Sequence, residues 1–110
     1  MDVSLFIKDF EMGAKVSRKL TELDSLFEFS EKSSDISDST QLIIVDLDNE
    51  ETGNELFIHQ ISVEKNDIKI VGYMKRVQKT HHEKFKTAGC SIILPKSSLV
   101  KNLSTFIESK

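Results

Sequence analysis

Two apolar stretches of this chain end in carboxylates, at the points where buried strands would leave the core. Asp46 closes the stretch LIIVD and Asp48 follows it, while Asp9 comes soon after VSLFI. An aspartate can capture a phosphoryl group as an acyl phosphate when cations neutralise the transferring oxygens. Lys96 follows a third stretch, SIIL, and its ammonium would supply such a charge. The pattern favours Asp46 as the acceptor, with Asp9 and the Asp48 backbone as candidate metal ligands.

Five short apolar stretches recur along the chain and are the candidate strands that would position these side chains. Between them lie segments with helical period, as at Met12, Val16 and Leu20. Strands that are apolar on both faces and alternate with helices indicate a parallel sheet covered on both sides, which is a doubly wound α/β fold. Ligands and chemistry in such folds collect beyond the carboxyl ends of the strands. The predicted strands are residues 3–7, 25–29, 42–47, 68–73 and 91–94.

Capping residues predict where several of the helices begin and end. Asp9 is the expected N-cap of the first helix, and capping-box patterns at Thr52 and Thr80 predict the starts of two later helices. Gly89 is expected to end a helix in a left-handed conformation. The segment SEKSSDISDST is polar and offers only Ile36 as an apolar anchor, so we expect a short helix or a mobile loop there.

Composition is typical of a globular protein and argues against several functions. With 110 residues, of which 38% are hydrophobic and 30% charged, residues 1–110 are expected to form one domain. A net charge of −3 is unsuited to nucleic-acid binding, which calls for clustered basic residues. The single cysteine, Cys90, excludes an internal disulfide and favours a reducing compartment. Since neither a signal peptide nor a membrane-spanning run is recognisable, we expect a cytoplasmic protein without membrane contact.

Three motifs resemble the receiver domain of bacterial and archaeal response regulators, the CheY-like family, over essentially the whole chain. They are LFIKDFEMGAKVSRKL, similar to the acidic segment after the first strand; LIIVDLD, similar to the phosphoacceptor strand; and AGCSIILPK, whose lysine has the family's spacing from the glycine. The resemblance implies a five-stranded, flavodoxin-like parallel sheet in the order 2-1-3-4-5. It implies that Asp46 is the phosphoacceptor and that Lys96 pairs with the phosphate. Asp9 and the backbone carbonyl of Asp48 would belong to a Mg²⁺ site.

The chain departs from the family pattern at positions that matter for this chemistry. Lys8 stands where receivers have the first of two acids, and Met74 or Lys75 stands where they have a serine or threonine. Reversing one charge within a few ångströms of a metal is worth roughly 4 kcal/mol at an effective dielectric of ~20, which would severely weaken a Mg²⁺ site. We therefore hypothesise that Lys8 replaces the metal by neutralising Asp46 and Asp9 directly.

A basic patch and two candidate switch positions lie near the same edge of the predicted sheet. The patch is most simply a solvated helix face, but in receivers the corresponding surface docks partners or a second copy, so an acidic protein partner or a homodimer is the alternative. Tyr73 and Met74 occupy switch positions by resemblance, although a packing role at the strand end is favoured for Tyr73. The basic patch consists of Lys75, Arg76, Lys79, Lys84 and Lys86, and the expected partner face is formed by Lys75, Arg76, Lys84 and Lys86.

Several functions remain open from the sequence. The first is a stand-alone receiver in phosphorelay signalling, phosphorylated on Asp46 by a histidine kinase and acting by protein–protein interaction rather than as an enzyme. The second is a pseudo-receiver that is not phosphorylated and uses its docking face constitutively. The third is a flavodoxin-like domain that binds a small ligand, and the absence of a glycine-rich phosphate loop in KDFEMG argues against it.

Overall fold

Strands and helices alternate along the chain as the apolar stretches predict. A computed structural model describes residues 2–65 and 67–108. Within these residues, none of the helices is long and apolar enough to cross a membrane. The strands are β1 (Asp2–Phe6), β2 (Leu26–Phe29), β3 (Thr40–Asp46), β4 (Lys69–Met74) and β5 (Ile92–Pro95). The helices are α1 (Phe10–Glu22), α2 (Glu55–Glu64), α3 (Lys79–Ala88) and α4 (Lys96–Glu108), with a 3₁₀ turn at Ser33–Asp35.

The strands form one parallel sheet in the order β2-β1-β3-β4-β5, which confirms the predicted doubly wound architecture. Because all strands run in the same direction, the residues that follow β1, β3, β4 and β5 meet along one edge of the sheet. We call this edge the carboxyl-end rim. The charged residues identified in the sequence at strand ends are therefore brought onto one rim.

Side chains of β3 alternate between the two faces of the sheet and enter two hydrophobic clusters. Leu42 and Ile44 belong to the cluster under α1 and α4, whereas Ile43 and Val45 belong to the cluster under α2 and α3. Each fully buried aliphatic side chain of this kind stabilises the fold by roughly 1.5–3 kcal/mol. By the same alternation, Asp46 leaves the strand on the α1/α4 face.

The crossover between β2 and β3 is a 3₁₀ turn rather than an α-helix. Its Ile36 side chain is buried against the α2/α3 cluster, while the Asp35 carboxylate accepts the backbone N–H groups of Glu31 and Lys32, both at 3.0 Å. Such local side-chain bonds compete with helix formation, which explains why this Ser- and Asp-rich segment stays short. The neighbouring strand β2 lies at the sheet edge and leaves Phe29 exposed.

The loop between β3 and α2 differs from the predicted capping box. The N-cap of α2 is Asn54, whose Oδ1 accepts the N–H of Leu56 at 2.8 Å, and not Thr52. Thr52 is buried, and its Oγ1 donates to the backbone carbonyl of Asp46 at 2.6 Å. The threonine was expected to start a helix, but it ties the loop to the end of β3.

The ends of α3 give one wrong and one confirmed prediction. The helix begins after Gln78, which makes no side-chain capping bond, so Thr80 lies inside the first turn and the predicted capping box is wrong. Gly89 ends the helix with φ of 139°, as the sequence predicts. A Cβ at this position would also lie 2.6 Å from Cβ of Ser62, so both the backbone conformation and the space require glycine.

Candidate functional site

Asp46 is half-buried at the end of β3, and its backbone and side chain are both held by the loop that follows. The N–H of Asp48 donates to Asp46 Oδ1 at 2.9 Å, and Thr52 holds the carbonyl of the same residue. Burial raises the pKa of the Asp46 carboxyl above its usual value, and the charge of Asp48 acts in the same direction. The Asp48 N–H and the positive charge of Lys96 oppose that shift. Asp46 is therefore a carboxylate in a fixed position whose negative charge is only partly compensated by its surroundings.

Asp9 and Lys96 form an ion pair across the rim. Asp9 is the N-cap of α1, as predicted, and its Oδ1 accepts the N–H of Glu11 at 3.2 Å. Its other oxygen accepts a hydrogen bond from Lys96 Nζ at 3.0 Å, and Lys96 is the first residue of α4. The Lys96 ammonium lowers the pKa of Asp9, and the Asp9 carboxylate raises the pKa of Lys96. The lysine expected to pair with phosphate therefore lies on Asp9, close enough to affect Asp46.

Lys8 does not make the contact that the metal-replacement hypothesis requires. Its Nζ lies 2.7 Å from Oε2 of Glu51, in the loop after β3, and both side chains are largely exposed. An exposed pair of this kind contributes roughly 0–1 kcal/mol. The expected ion pairs of Lys8 with Asp46 and Asp9 are thus wrong for the part of the chain that the structure describes. Lys96 supplies the ammonium beside Asp9, because α4 begins with this residue at the rim. The Lys8 side chain is instead partly exposed and paired with Glu51.

The end of β4 offers no aliphatic hydroxyl to the site. Met74 is 3% exposed and packs in the cluster under α2 and α3, on the face of the sheet opposite to Asp46. The next residue, Lys75, is exposed, and its backbone N–H donates to Asp48 Oδ2 at 2.8 Å. The Asp48 side chain therefore binds the loop after β4, while the backbone N–H of Asp48 binds Asp46.

Tyr73 lies beneath the site rather than beside it. It pairs in register with Asp46, its ring is 1% exposed in the α1/α4 cluster, and its carbonyl accepts the N–H of Leu47 at 2.9 Å. The Tyr73 hydroxyl is buried and has no hydrogen-bond partner among the described residues. Burial strongly raises the pKa of Tyr73, and the nearby charge of Asp46 raises it further. The packing role predicted for the ring is present, and the hydroxyl in addition is close enough to Asp46 to be affected by its charge.

Many solved structures have the same architecture, although comparisons of sequence found no match. No family model matches this chain, and no curated protein matches it in sequence. HP1043, an orphan response regulator of H. pylori, superposes with a TM-score of 0.81 at 17% identity, covering 99% of this chain and 94% of the other. The non-phosphorylated HemR receiver domain from Leptospira biflexa gives 0.81 at 14% identity, covering 99% and 95%.

A CheY-like receiver domain protein from Methanospirillum hungatei gives a TM-score of 0.78 at 8% identity, covering 97% of this chain and 93% of the other. The chain has the receiver-domain fold. The superpositions establish the fold. Because the sequence identities are so low, the chemistry has to be argued from the residues of this chain.

The described part of the rim offers few free oxygen ligands to a divalent cation. Mg²⁺ prefers several oxygen ligands in near-octahedral geometry. Among the described residues there is no group of three or more His, Cys, Asp or Glu side chains that could hold a metal ion. Asp9 is already paired with Lys96, and Lys8 brings a positive charge where the receiver pattern has an acid. The residues at this rim do not fit a strong Mg²⁺ site.

The basic patch lies on α3 and the loop before it, and it is partly neutralised within the chain. Lys84 pairs with Glu55 at 3.7 Å, and its Nζ lies 5.0 Å from the centre of the Phe85 ring. Lys86 donates to the carbonyl of Ser91 at 2.6 Å. The exposed Lys75 and Arg76 side chains, also in the patch, lie between the rim and α3.

Two residues of the site were not identified from the sequence. Thr52 holds the carbonyl of Asp46, and Glu51 binds Lys8. The sequence signal for Thr52 was present but ambiguous, because a threonine three residues before an acid also fits a capping box. Glu51 gave no signal beyond its place in a polar loop. Both belong to the short segment whose path is fixed by Gly53, where a Cβ would lie 2.0 Å from the carbonyl oxygen of Leu47.

Proposed function

We propose that this chain is an atypical receiver-type signalling domain that accepts a phosphoryl group on Asp46 and acts by protein–protein interaction, not as an enzyme. The observation that carries the proposal is the arrangement of Asp46, Asp9 and Lys96 on one rim of a receiver fold. Asp46 is fixed by two hydrogen bonds from its own loop, so the acceptor oxygen is held in position before a donor arrives.

The transfer itself is a displacement at phosphorus. An Asp46 carboxylate oxygen attacks the phosphorus of a phosphohistidine or of a small phosphodonor. The bond from phosphorus to the leaving nitrogen or oxygen breaks, its electron pair stays with the leaving group, and an acyl phosphate remains on Asp46. The product adds negative charge to a rim that already holds Asp9 and Asp48, so it needs a cation. Lys96 lies on the same rim and can move its hydrogen bond from Asp9 to a phosphoryl oxygen.

This movement offers a route from the site to a docking surface. Lys96 is the first residue of α4, and it follows β5 directly. A change in its partner therefore acts at the start of the helix whose apolar face covers the α1/α4 cluster. The partner would be a signalling protein, with a histidine kinase as the donor and an acidic surface or a second copy of the chain on the α3 side. The exposed Lys75 and Arg76 would contribute to that contact.

A second function has its own support. The ion pair between Lys96 and Asp9 is complete without phosphate, Met74 supplies no hydroxyl, and the residues do not fit a strong Mg²⁺ site. Under this alternative the domain is a pseudo-receiver that presents its docking face constitutively. Lys96 is then the internal cation, in the role that was assigned to Lys8 from the sequence.

Phosphoramidate, a small phosphodonor, separates the two functions. The protein is incubated with it in the presence and absence of Mg²⁺, and intact-mass spectrometry detects the added phosphoryl group. We expect a single, base-labile modification that disappears in Asp46→Asn. The matched control is Asp67→Asn, which removes an exposed carboxylate just before β4 begins, at the opposite end of the sheet. Unmodified protein under all conditions would overturn phosphoryl acceptance and favour the pseudo-receiver.

A further inference from the structure

Tyr73 carries a buried polar group that the proposed transfer does not use. It is the only tyrosine in the chain, and its side chain is 1% exposed. The register of the sheet places it directly opposite Asp46, so the two side chains leave adjacent strands on the same face. Met74, one residue further, packs on the other face under α2 and α3. The phenol is therefore the hydroxyl of β4 that shares a sheet face with the acceptor.

The Tyr73 hydroxyl is unpaired although it is deeply buried. Its oxygen has no hydrogen-bond partner among the described residues. Buried hydroxyl groups are normally paired, because leaving one unsatisfied opposes folding. The charges of Asp46, Asp9 and Asp48 all act on this hydroxyl, with Asp46 the strongest of the three. The hydroxyl is therefore near enough to Asp46 for the two groups to affect each other, and it has no partner within hydrogen-bonding distance among the described residues.

We propose that the Tyr73 hydroxyl is the hydrogen-bond donor for the group carried by Asp46, and that it replaces the side-chain hydroxyl that position 74 lacks. The inference rests on the proposed function, because the full interaction forms when Asp46 becomes an acyl phosphate. The phenol then contacts the modified carboxyl group from within the core, while Lys96 contacts the phosphoryl oxygens from the rim. The bond forms when the phenol and the modified carboxyl group come within hydrogen-bonding distance.

The expected contribution of this donor follows from general hydrogen-bond energetics. A hydrogen bond to a charged group changes an equilibrium constant by roughly 10- to 100-fold. Tyr73→Phe keeps the ring, its packing and the fold, and it removes only an oxygen that is unpaired in the free protein. The variant is therefore expected to unfold at the same temperature as the unmodified chain or higher, while its affinity for beryllofluoride, a phosphoryl mimic, falls roughly 10- to 100-fold.

The sole tyrosine also gives a direct spectroscopic test. Tyrosine labelled with ¹³C at the ζ carbon gives one signal in this chain, and its chemical shift reports hydrogen bonding of the phenol. The spectrum is recorded before and after beryllofluoride is added, with and without Mg²⁺, alongside the backbone amide spectrum. Asp46→Asn removes the acceptor, and Met74→Leu is the matched control in which the neighbouring side chain changes but the phenol is kept.

We expect the Tyr73 signal to shift on addition of beryllofluoride in the unmodified chain and in Met74→Leu, and not in Asp46→Asn. If the amides of Asp9, Asp46 and Lys96 shift while the Tyr73 signal stays in place, and Tyr73→Phe binds equally well, the inference is wrong and the proposed function stands. If neither the amides nor the Tyr73 signal respond, the proposed function fails and the inference fails with it.

Discussion

The two sides of the carboxyl-end rim match the receiver pattern to different degrees. On one side, Asp9 and Lys96 bring an acid and a lysine together at the starts of α1 and α4, 3.0 Å apart. On the other side, at the end of β4, the hydroxyl of the pattern is replaced by the buried Met74. The loop that follows is tied to Asp48, whose carboxylate accepts the backbone N–H of Lys75.

The difference indicates what each side can offer to a group on Asp46. On the first side, Lys96 can neutralise charge on Asp46, because it stands at the start of α4 and its charge already acts on that carboxylate. The β4 side presents the buried Met74 instead of an exposed hydroxyl, and it carries a buried hydroxyl on Tyr73. Charge neutralisation is therefore expected to depend on the first side, and hydrogen bonding to the phosphoryl mimic on the phenol.

The largest effect is expected when the lysine of the first side is removed. Lys96→Gln takes away the ammonium nearest to the acceptor, and loss of one such charged donor at a reacting centre lowers the rate of transfer roughly 100-fold. The rate of phosphoryl incorporation from phosphoramidate measures the effect. Lys8→Gln is the matched control, and it should change that rate by less than about two-fold because its partner is the exposed Glu51. Equal effects of the two substitutions would contradict the assignment of separate roles.

Restoring the hydroxyl of the receiver pattern at the β4 side should cost stability without improving the site. Met74→Thr shortens a side chain that is packed under α2 and α3, so we expect a loss of about 2 kcal/mol in the free energy of unfolding. Its beryllofluoride affinity should not rise, because position 74 faces away from Asp46. Denaturant unfolding and a binding titration measure the two quantities, and a tighter complex in Met74→Thr would show that the β4 side still reaches the site.

Adding an acid next to Asp9 tests how far the lysine at position 8 limits metal binding. Lys8→Asp exchanges an ammonium for a carboxylate at the residue next to Asp9 in the chain, and after allowance for solvent screening we expect magnesium affinity to rise at least ~10-fold. The amide shifts of the rim residues during a magnesium titration report the affinity. An unchanged affinity would show that Lys96, by holding Asp9, is the group that excludes the cation.

The smallest effect is a pH dependence of stability that differs between Asp46 and Asp9. Burial raises the folded-state pKa of Asp46, so its ionisation opposes folding and stability falls as the pH rises through that pKa. Asp46→Asn should therefore be more stable than the unmodified chain at neutral pH and equally stable at strongly acidic pH. Lys96 lowers the pKa of Asp9, so its contribution has the opposite sign and is lost as the pH falls. Thermal unfolding of Asp46→Asn and Asp9→Asn across this pH range measures both trends.

The fold and the gathering of acids on one rim could be predicted from the sequence, whereas the pairing of charges could not. Apolar alternation defines strands and their shared edge, and Asp9 capping a helix follows from local chemistry. Which lysine reaches which acid depends on the path of a loop and the start of a helix. Lys8 is adjacent to Asp9 in sequence, yet Lys96 is the residue that pairs with it. The role of Thr52 was missed because one motif fits two structures, and the position of the Tyr73 hydroxyl depends on sheet register.

The most direct test of phosphoryl acceptance at Asp46 is a two-dimensional amide NMR titration with beryllofluoride, first without and then with Mg²⁺. We predict shifts that begin at Asp9, Asp46 and Lys96 and extend into α3 and α4, since Lys96 leaves Asp9 for the bound group. A spectrum that is unchanged under both conditions would contradict the proposed acceptor and favour the pseudo-receiver.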